Sequence, residues 1–344
     1  MKYIITGGAG YLGSVLAHEL ERRGYGPLKI LVLPGEKIAH LADLNAEIVR
    51  GDILDLNFLD DFIEKDDIVF HLAGIVNITA SKKDLLYQVN VEGFKNIVDT
   101  SIKKKIKRLI YTSSVHAILP KKGNEIMQEP DSFSVEELVG DYAKTKALAT
   151  KYLFEKTKAG EIDAVALYPS GIIGPYDYNV SHFGQVILDY INRKLTAIVK
   201  GGYDFVDVRD VASALVSAID ARSGEGYIVS GHYVSVRELF KILNEKLDRK
   251  RLPGELALWF LKIVAPLAEL HYKIRRKKPL FNAYTLYTLN VNCNFDNSKA
   301  RAELGFNPRS VKESLFDMVD WFLENKQELI KRKYLLSLKP KTSH

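Results

Sequence analysis

The sequence predicts a doubly wound α/β fold, a parallel sheet covered by helices on both faces, with a smaller mixed α/β lobe towards the C-terminus. Three observations carry that expectation. Short apolar, branched runs alternate with segments of helical spacing up to residue 168. A glycine-rich turn joins the first such run to the first helix, and the alternation weakens after residue 168, where Pro169, Gly171, Gly174 and Pro175 cluster.

Taken in order, residues 3–6 are apolar, 12–22 repeat Leu12, Val15, Leu16 and Leu20 at helical spacing, and 29–33 are, after Lys29, again apolar and branched. Strand, helix and strand within about 30 residues make the unit from which parallel sheets are built. The pattern continues through Glu47-Ile48-Val49, Ile68-Val69-Phe70, a helix near 86–104, a strand over 108–112, a helix near 141–158 and a strand over 164–167. Wholly apolar strands between amphipathic helices indicate a sheet buried on both sides. Residues 1–168 are therefore expected to form the first domain, with return segments near 205–229. An interleaved smaller lobe takes up 169–325 and a basic tail 326–344.

With 344 residues, 47% hydrophobic and 27% charged, the chain falls outside the disordered and fibrous classes. The single Cys293 permits no internal disulfide, and the start lacks the long apolar run of a signal peptide, so a cytoplasmic protein is expected. Net charge is +6, but six of the cations lie in residues 326–344 against Glu328 alone. A nucleic-acid binder carries its basic excess as a patch on the folded domain, so nucleic acid is not an expected partner. Residues 256–270 are the most hydrophobic stretch, yet Lys262 and Pro266 interrupt it well short of the roughly 20 residues that span a bilayer. Arg275-Arg276-Lys277-Lys278 follows it, which fits a solvated loop, an anionic substrate or peripheral contact with an acidic membrane surface. No His, Cys, Asp or Glu grouping has metal-ligand spacing, so no metal is expected.

Thr6-Gly7-Gly8-Ala9-Gly10-Tyr11-Leu12-Gly13 lies between the first strand and the first helix, the context in which a glycine pattern signals a dinucleotide site. Gly7 and Gly10 allow a tight turn and close approach of a pyrophosphate, and Gly13 lets the helix pack on the sheet. The amides of Tyr11 and Leu12 then face that pyrophosphate at the positive end of the helix. The carboxylate expected at the end of the second strand is missing; Glu36 to a ribose hydroxyl, Lys37 to a 2′-phosphate, or two solvated loop charges all fit. Absence of an acid on the strand end tilts the expectation from NAD towards NADP.

Tyr142 and Lys146 are four apart and share one helix face. A phenol near pKa 10 exchanges its proton poorly at neutral pH unless a cation favours the phenolate, and Lys146 has the spacing to supply one. Ser113-Ser114 ends the strand over 108–112, at the carboxyl edge where open parallel sheets bind ligands, and a hydroxyl there can hold a substrate oxygen.

With these residues in place the chain resembles the extended short-chain dehydrogenases/reductases of the NAD-dependent epimerase/dehydratase superfamily, from Lys2 to about Asn325. Further matching stretches are Gly51-Asp52-Ile53, Phe70-His71-Leu72-Ala73-Gly74, Asn90-Val91-Glu92-Gly93 and Tyr111-Thr112-Ser113-Ser114. The likeness is greatest to dihydroflavonol-reductase-like, 3β-hydroxysteroid-dehydrogenase-like and hopanoid-associated sugar-epimerase-like members. It implies a Rossmann fold with a C-terminal substrate lobe, catalytic roles for Ser114, Tyr142 and Lys146, and a homodimer. It also implies an adenine loop at Asp52 and Ile53, and a cofactor lining from Leu72, Ala73, Gly74, Ser113, Tyr168, Pro169 and Ser170. Asn90 belongs to the same set, chiefly as a structural hydrogen-bonding residue. The implied chemistry is hydride transfer between a ketone and a secondary alcohol, or nucleotide-sugar epimerisation or dehydration with retained NAD. A non-catalytic nucleotide sensor is the third reading. Tyr203 before Asp204-Phe205, where many nucleotide-sugar members carry Arg, favours a small aromatic or lipid-like substrate.

Overall fold

The computed structural model describes residues 1–76, 83–195, 197–256, 283–332 and 334–335. The apolar stretch beyond Leu256, the Arg275–Lys278 cluster and residues 336–344 of the tail lie outside the described residues. Among the described residues, no helix is long and apolar enough to cross a membrane.

Two compact units share the chain: Met1–Ser170, Val208–Ser230 and Asn292–Pro308 form the first, and Gly171–Asp207, Gly231–Val291 and the residues from Arg309 form the second. The first opens with β1 (Tyr3–Thr6), α1 (Tyr11–Arg22), β2 (Leu28–Val32), β3 (Ala46–Arg50), α2 (Leu56–Phe62) and β4 (Ile68–His71). It continues with α3 (Lys83–Tyr87), α4 (Phe94–Lys104), β5 (Arg108–Thr112), α5 (Asp141–Lys158) and β6 (Ala164–Pro169). In the second unit the chain then builds β7 (Gly171–Ile173), α6 (His182–Ile191), β8 (Ala197–Val199) and β9 (Gly202–Asp207). It returns for α7 (Val208–Ser217) and β10 (Gly226–Val229). The second unit gains β11 (His232–Ser235), α8 (Val236–Lys246), β12 (Gly254–Leu256) and α9 (Ala283–Thr288). Finally α10 (Ser298–Leu304) joins the first unit and α11 (Val311–Asn325) the second.

The seven strands of the first unit lie in the order β10-β6-β5-β4-β1-β2-β3, and every pair is parallel. β1, β2, β4 and β6 are buried along their whole length, Lys29 of β2 included, its ammonium donating to the Phe62 carbonyl at 2.9 Å. α1 turns Val15, Leu16, Ala17 and Leu20 inwards, the stripe that its spacing predicts. Asp55 starts α2 by accepting the amides of Asn57 and Phe58. The continuous helix expected over 86–104 is instead α3, a wide π turn over Gln88–Gly93, and α4. Asn90 sits in the widened turn and bonds both backbone groups of Ile75, which a regular helical turn would not have aimed at that loop.

Residues 292–308, inside the range that the sequence divides off as the smaller lobe, pack with the first unit. Met127 donates to the Asn294 carbonyl at 2.8 Å and accepts from the Asp296 amide at 2.8 Å. The second unit holds a three-stranded sheet, β11-β9-β7, and a pair, β12-β8, around a core that includes Ile187, Leu243, Leu315 and Phe322.

Candidate active site

The carboxyl ends of β1, β4, β5 and β6 lie side by side in the sheet, and the site is built on the turns that leave them. Gly7 adopts φ +74°, and a Cβ there would lie 2.7 Å from the Ala73 amide nitrogen. A Cβ on Gly13 would meet the Gly7 carbonyl oxygen at 2.2 Å. Both positions exclude any side chain, so α1 begins directly on the turn, and Gly10 brings no side chain to cap it. Tyr11 and Leu12 open the helix, which puts the amides of its first turn at the end of β1.

Thr6 ties this turn to the end of β4. Its hydroxyl accepts the Ala73 amide at 3.3 Å and bonds His71 Nδ1 at 2.8 Å. Burial pushes His71 down to about 3, with the Lys146 ammonium acting in the same direction. The imidazole is therefore neutral, and Nδ1 shares one hydrogen bond with the Thr6 hydroxyl. Leu72 donates to the Thr6 carbonyl at 3.2 Å, so Leu72, Ala73 and Gly74 are pinned beside the glycine turn. Asn90 holds the far end of that loop through Ile75 and also donates to Thr145 Oγ1 at 3.3 Å.

Ile53 is buried against Gly93, and Asp52 accepts the Leu54 amide at 3.0 Å, which shapes the loop after β3. The Glu36 carboxylate accepts the Leu33 amide at 2.8 Å within its own turn, and Lys37 is exposed. The two serines after β5 part company. Ser113 points into the helix–sheet interface, where its hydroxyl bonds Thr150 Oγ1 at 2.7 Å and its amide donates to Leu167. Ser114 hydrogen-bonds the Tyr142 hydroxyl. Its Oγ also accepts the His116 amide at 3.2 Å. The Tyr168 ring lies wholly inside the core, so only its backbone faces the end of β6, and the Ser170 hydroxyl is buried with no hydrogen-bond partner.

Lys146 is buried on the same face of α5 as Tyr142, donates to the Thr112 carbonyl at 2.8 Å and lies 4.8 Å from the Tyr111 ring centre. The expectation that it lowers the Tyr142 pKa is not met by the chain's own groups. Loss of hydration pushes the phenol up to about 12, and the Ser114 hydrogen bond is what pulls against that. Burial also lowers Lys146 to about 7, which weakens it as a cation at neutral pH. Sequence reasoning also missed His116, whose ring meets that of Tyr142 edge-on at 5.9 Å. Its place two residues after Ser114 was the only signal that could have found it.

A dinucleotide fits these residues: Gly7 and Gly13 hold a tight turn free of side chains, the first turn of α1 has no side-chain cap, and the Ser170 hydroxyl is orphaned. The model of the NAD dependent epimerase/dehydratase family matches residues 3–230. The chain belongs to this family. It is an enzyme of the extended short-chain dehydrogenase/reductase superfamily, with a Rossmann-type sheet and a nicotinamide dinucleotide as its cofactor class. A sterol demethylase protein B of Methylococcus capsulatus is 29% identical over 330 residues, which take in 94% of this chain and 99% of that one. The crystal structure of gox2253 is 28% identical with a TM-score of 0.83, covering 96% of this chain and 99% of that one. DesIV of Streptomyces venezuelae, a dTDP-glucose 4,6-dehydratase with NAD bound, shares the fold at 19% identity and a TM-score of 0.77, over 95% of this chain and 98% of that one.

Proposed function

We propose that this enzyme interconverts a ketone and a secondary alcohol on a small aromatic or lipid-like molecule. The observation that carries the reading is the meeting of the Ser114 and Tyr142 hydroxyls beside a buried Lys146. The bound nicotinamide dinucleotide supplies or accepts the hydride. In the reducing direction Tyr142 gives its proton to the substrate oxygen, which Ser114 holds as charge develops on it. In the oxidising direction Tyr142, as phenolate, takes the proton of the alcohol, and Lys146, held on the Thr112 carbonyl, orients the ribose of the dinucleotide. A phenol pushed up to about 12 keeps its proton at neutral pH, the state that reduction requires.

Substrate recognition is assigned to the second unit, where half-buried Phe183, Tyr203 and Phe205 pack around β9 with ring centres 5.1 and 5.7 Å apart. Tyr203 before Asp204-Phe205, in place of a guanidinium, suits an apolar skeleton better than a diphosphate. The sterol in the name of the Methylococcus relative agrees with that choice. The reading further includes a preference for NADP over NAD, a homodimer as the family resemblance implies, and a cytoplasmic setting suggested by the single cysteine.

The test is a panel of aromatic ketones, sterol ketones and nucleotide sugars followed at the nicotinamide absorbance with NADH and NADPH side by side. Turnover of a ketone with stoichiometric cofactor oxidation is expected, falling roughly 10²- to 10⁴-fold in Tyr142→Phe with unchanged dinucleotide affinity. Unchanged turnover in that variant ends the assignment of Tyr142. Turnover of a nucleotide sugar without net cofactor consumption, with cofactor retained through dialysis, replaces the reductase by an epimerase.

A further inference from the structure

We propose that Arg50, at the end of β3, is the partner of a ribose 2′-phosphate and sets the enzyme's preference for NADP(H). The proposal rests on the dinucleotide site above and names a residue outside both the glycine turn and the loop after β2.

In parallel dinucleotide folds the ribose 2′ position falls at the carboxyl end of the second strand. There β2 ends at Val32, which pairs with Arg50 of β3. The turn that follows is occupied with itself: Glu36 donates its amide to the Leu33 carbonyl at 3.2 Å, and its carboxylate accepts the Leu33 amide at 2.8 Å. The acid of that turn is thus committed to main chain. Arg50 reaches across from the neighbouring strand and clamps the same turn. Its Nη1 donates to the Leu33 carbonyl at 3.1 Å, and Nη1 and Nη2 together approach the Glu36 carbonyl at 3.4 and 3.3 Å.

That end-on grip has a geometric consequence. A carbonyl shared by Nη1 and Nη2 uses the N–H bonds at the tip of the guanidinium. The side edge, made of Nε–H and the second Nη2–H, has no partner among the described residues. Two parallel N–H donors on one edge match two oxygens of a phosphate, the bidentate arrangement in which arginine differs from lysine. Arg50 is an exposed residue, open to an anion from solvent. Lys37, also exposed, lacks a comparable anchor: no hydrogen bond or ion pair fixes its ammonium among the described residues.

Equilibrium binding decides the matter without any turnover. NADPH and NADH, and as smaller probes 2′-phospho-AMP and AMP, are titrated into the full chain by calorimetry or quenching of tryptophan fluorescence, in wild type, Arg50→Gln and Arg50→Lys. The wild type is expected to bind each 2′-phosphorylated ligand roughly 10- to 100-fold more tightly than its counterpart, the worth of a charge-assisted pair. Arg50→Gln should remove that difference while leaving NADH affinity within about threefold, and Arg50→Lys should restore only part of it, because the charge remains without the fork. Equal wild-type affinities for NADPH and NADH overturn the proposal. So does an Arg50→Gln variant that loses both ligands alike, which would make Arg50 a clamp for the turn and nothing more. If neither dinucleotide binds the wild type, the glycine-turn site itself falls, an outcome distinct from the first two.

Discussion

Tyr142 shows how two environmental effects compete at one atom. A cation four residues away on the helix is the sequence cue for a lowered phenol pKa, yet a cation helps only while it stays charged and points at the phenol. Here the ammonium rests on the Thr112 carbonyl and burial lowers its own pKa to about 7, so desolvation of the phenol wins. The phenolate signal of Tyr142, taken as the ultraviolet difference between wild type and Tyr142→Phe, should stay absent below about pH 11 in the ligand-free protein. Ser114→Ala should push that titration higher, because the hydrogen bond to the phenolate is lost. Lys146→Met should move it less than Ser114→Ala does; a larger effect from Lys146→Met would restore the lysine as the controlling group. Spacing was legible in the sequence here, but the direction of each side chain was not. Ser113 and Ser114 look interchangeable as letters, yet one bonds Thr150 inside the packing and the other meets Tyr142.

At the scale of the elements, the best-read segment is the passage from β1 into α1, because each requirement falls on neighbouring residues and glycine has few other uses. The close approach of Gly13 to the Gly7 carbonyl, 2.2 Å for an added Cβ, makes Gly13→Ala a direct test. The turn must open to admit the methyl group, at a cost of about 1–3 kcal/mol. Thermal unfolding should show a lower midpoint, and dinucleotide affinity should drop at least about tenfold, the factor that corresponds to 1.4 kcal/mol. Retention of full affinity would remove the turn from the binding site. Less legible was the helix over 86–104, where a pattern search sees one stripe and the structure inserts a π turn to bring Asn90 onto Ile75. Arg50 was hidden for a related reason. It acts on the turn after β2 through strand pairing, and nothing along the chain between Leu33 and Arg50 announces the meeting.

Over the whole molecule, the parallel pairing and the burial of the central strands followed from apolar runs that alternate with helices, while the assignment of residues 292–308 did not. Those residues join the first unit through main-chain bonds to Met127, a partner more than 160 positions away that no local pattern marks. Global stability carries a pH signature of the same interior. His71 is 1% exposed, bonded to Thr6, and neutral in the fold, with its pKa down at about 3 against an unfolded value of 6.5. Between those values the unfolded chain takes up a proton that the folded chain refuses, so stability is full above pH 6.5 and declines as pH falls towards 3. At pH 5 the loss from this residue amounts to about 2 kcal/mol. Urea unfolding at pH 7 and pH 5 should therefore show a smaller pH difference, by about that amount, in His71→Gln than in wild type. An identical difference in both proteins would mean that the imidazole charges without penalty.

The resting place of the Lys146 ammonium is a peptide oxygen rather than a side chain. Replacing residue 112 with alanine or valine would leave that acceptor where it is, fixed by the pairing of Thr112 with Leu167 across β5 and β6. The docking point of the lysine is therefore written into the main chain of the sheet, and point mutation at that position has no purchase on it. To shift the ammonium, a variant would have to change the register of two strands.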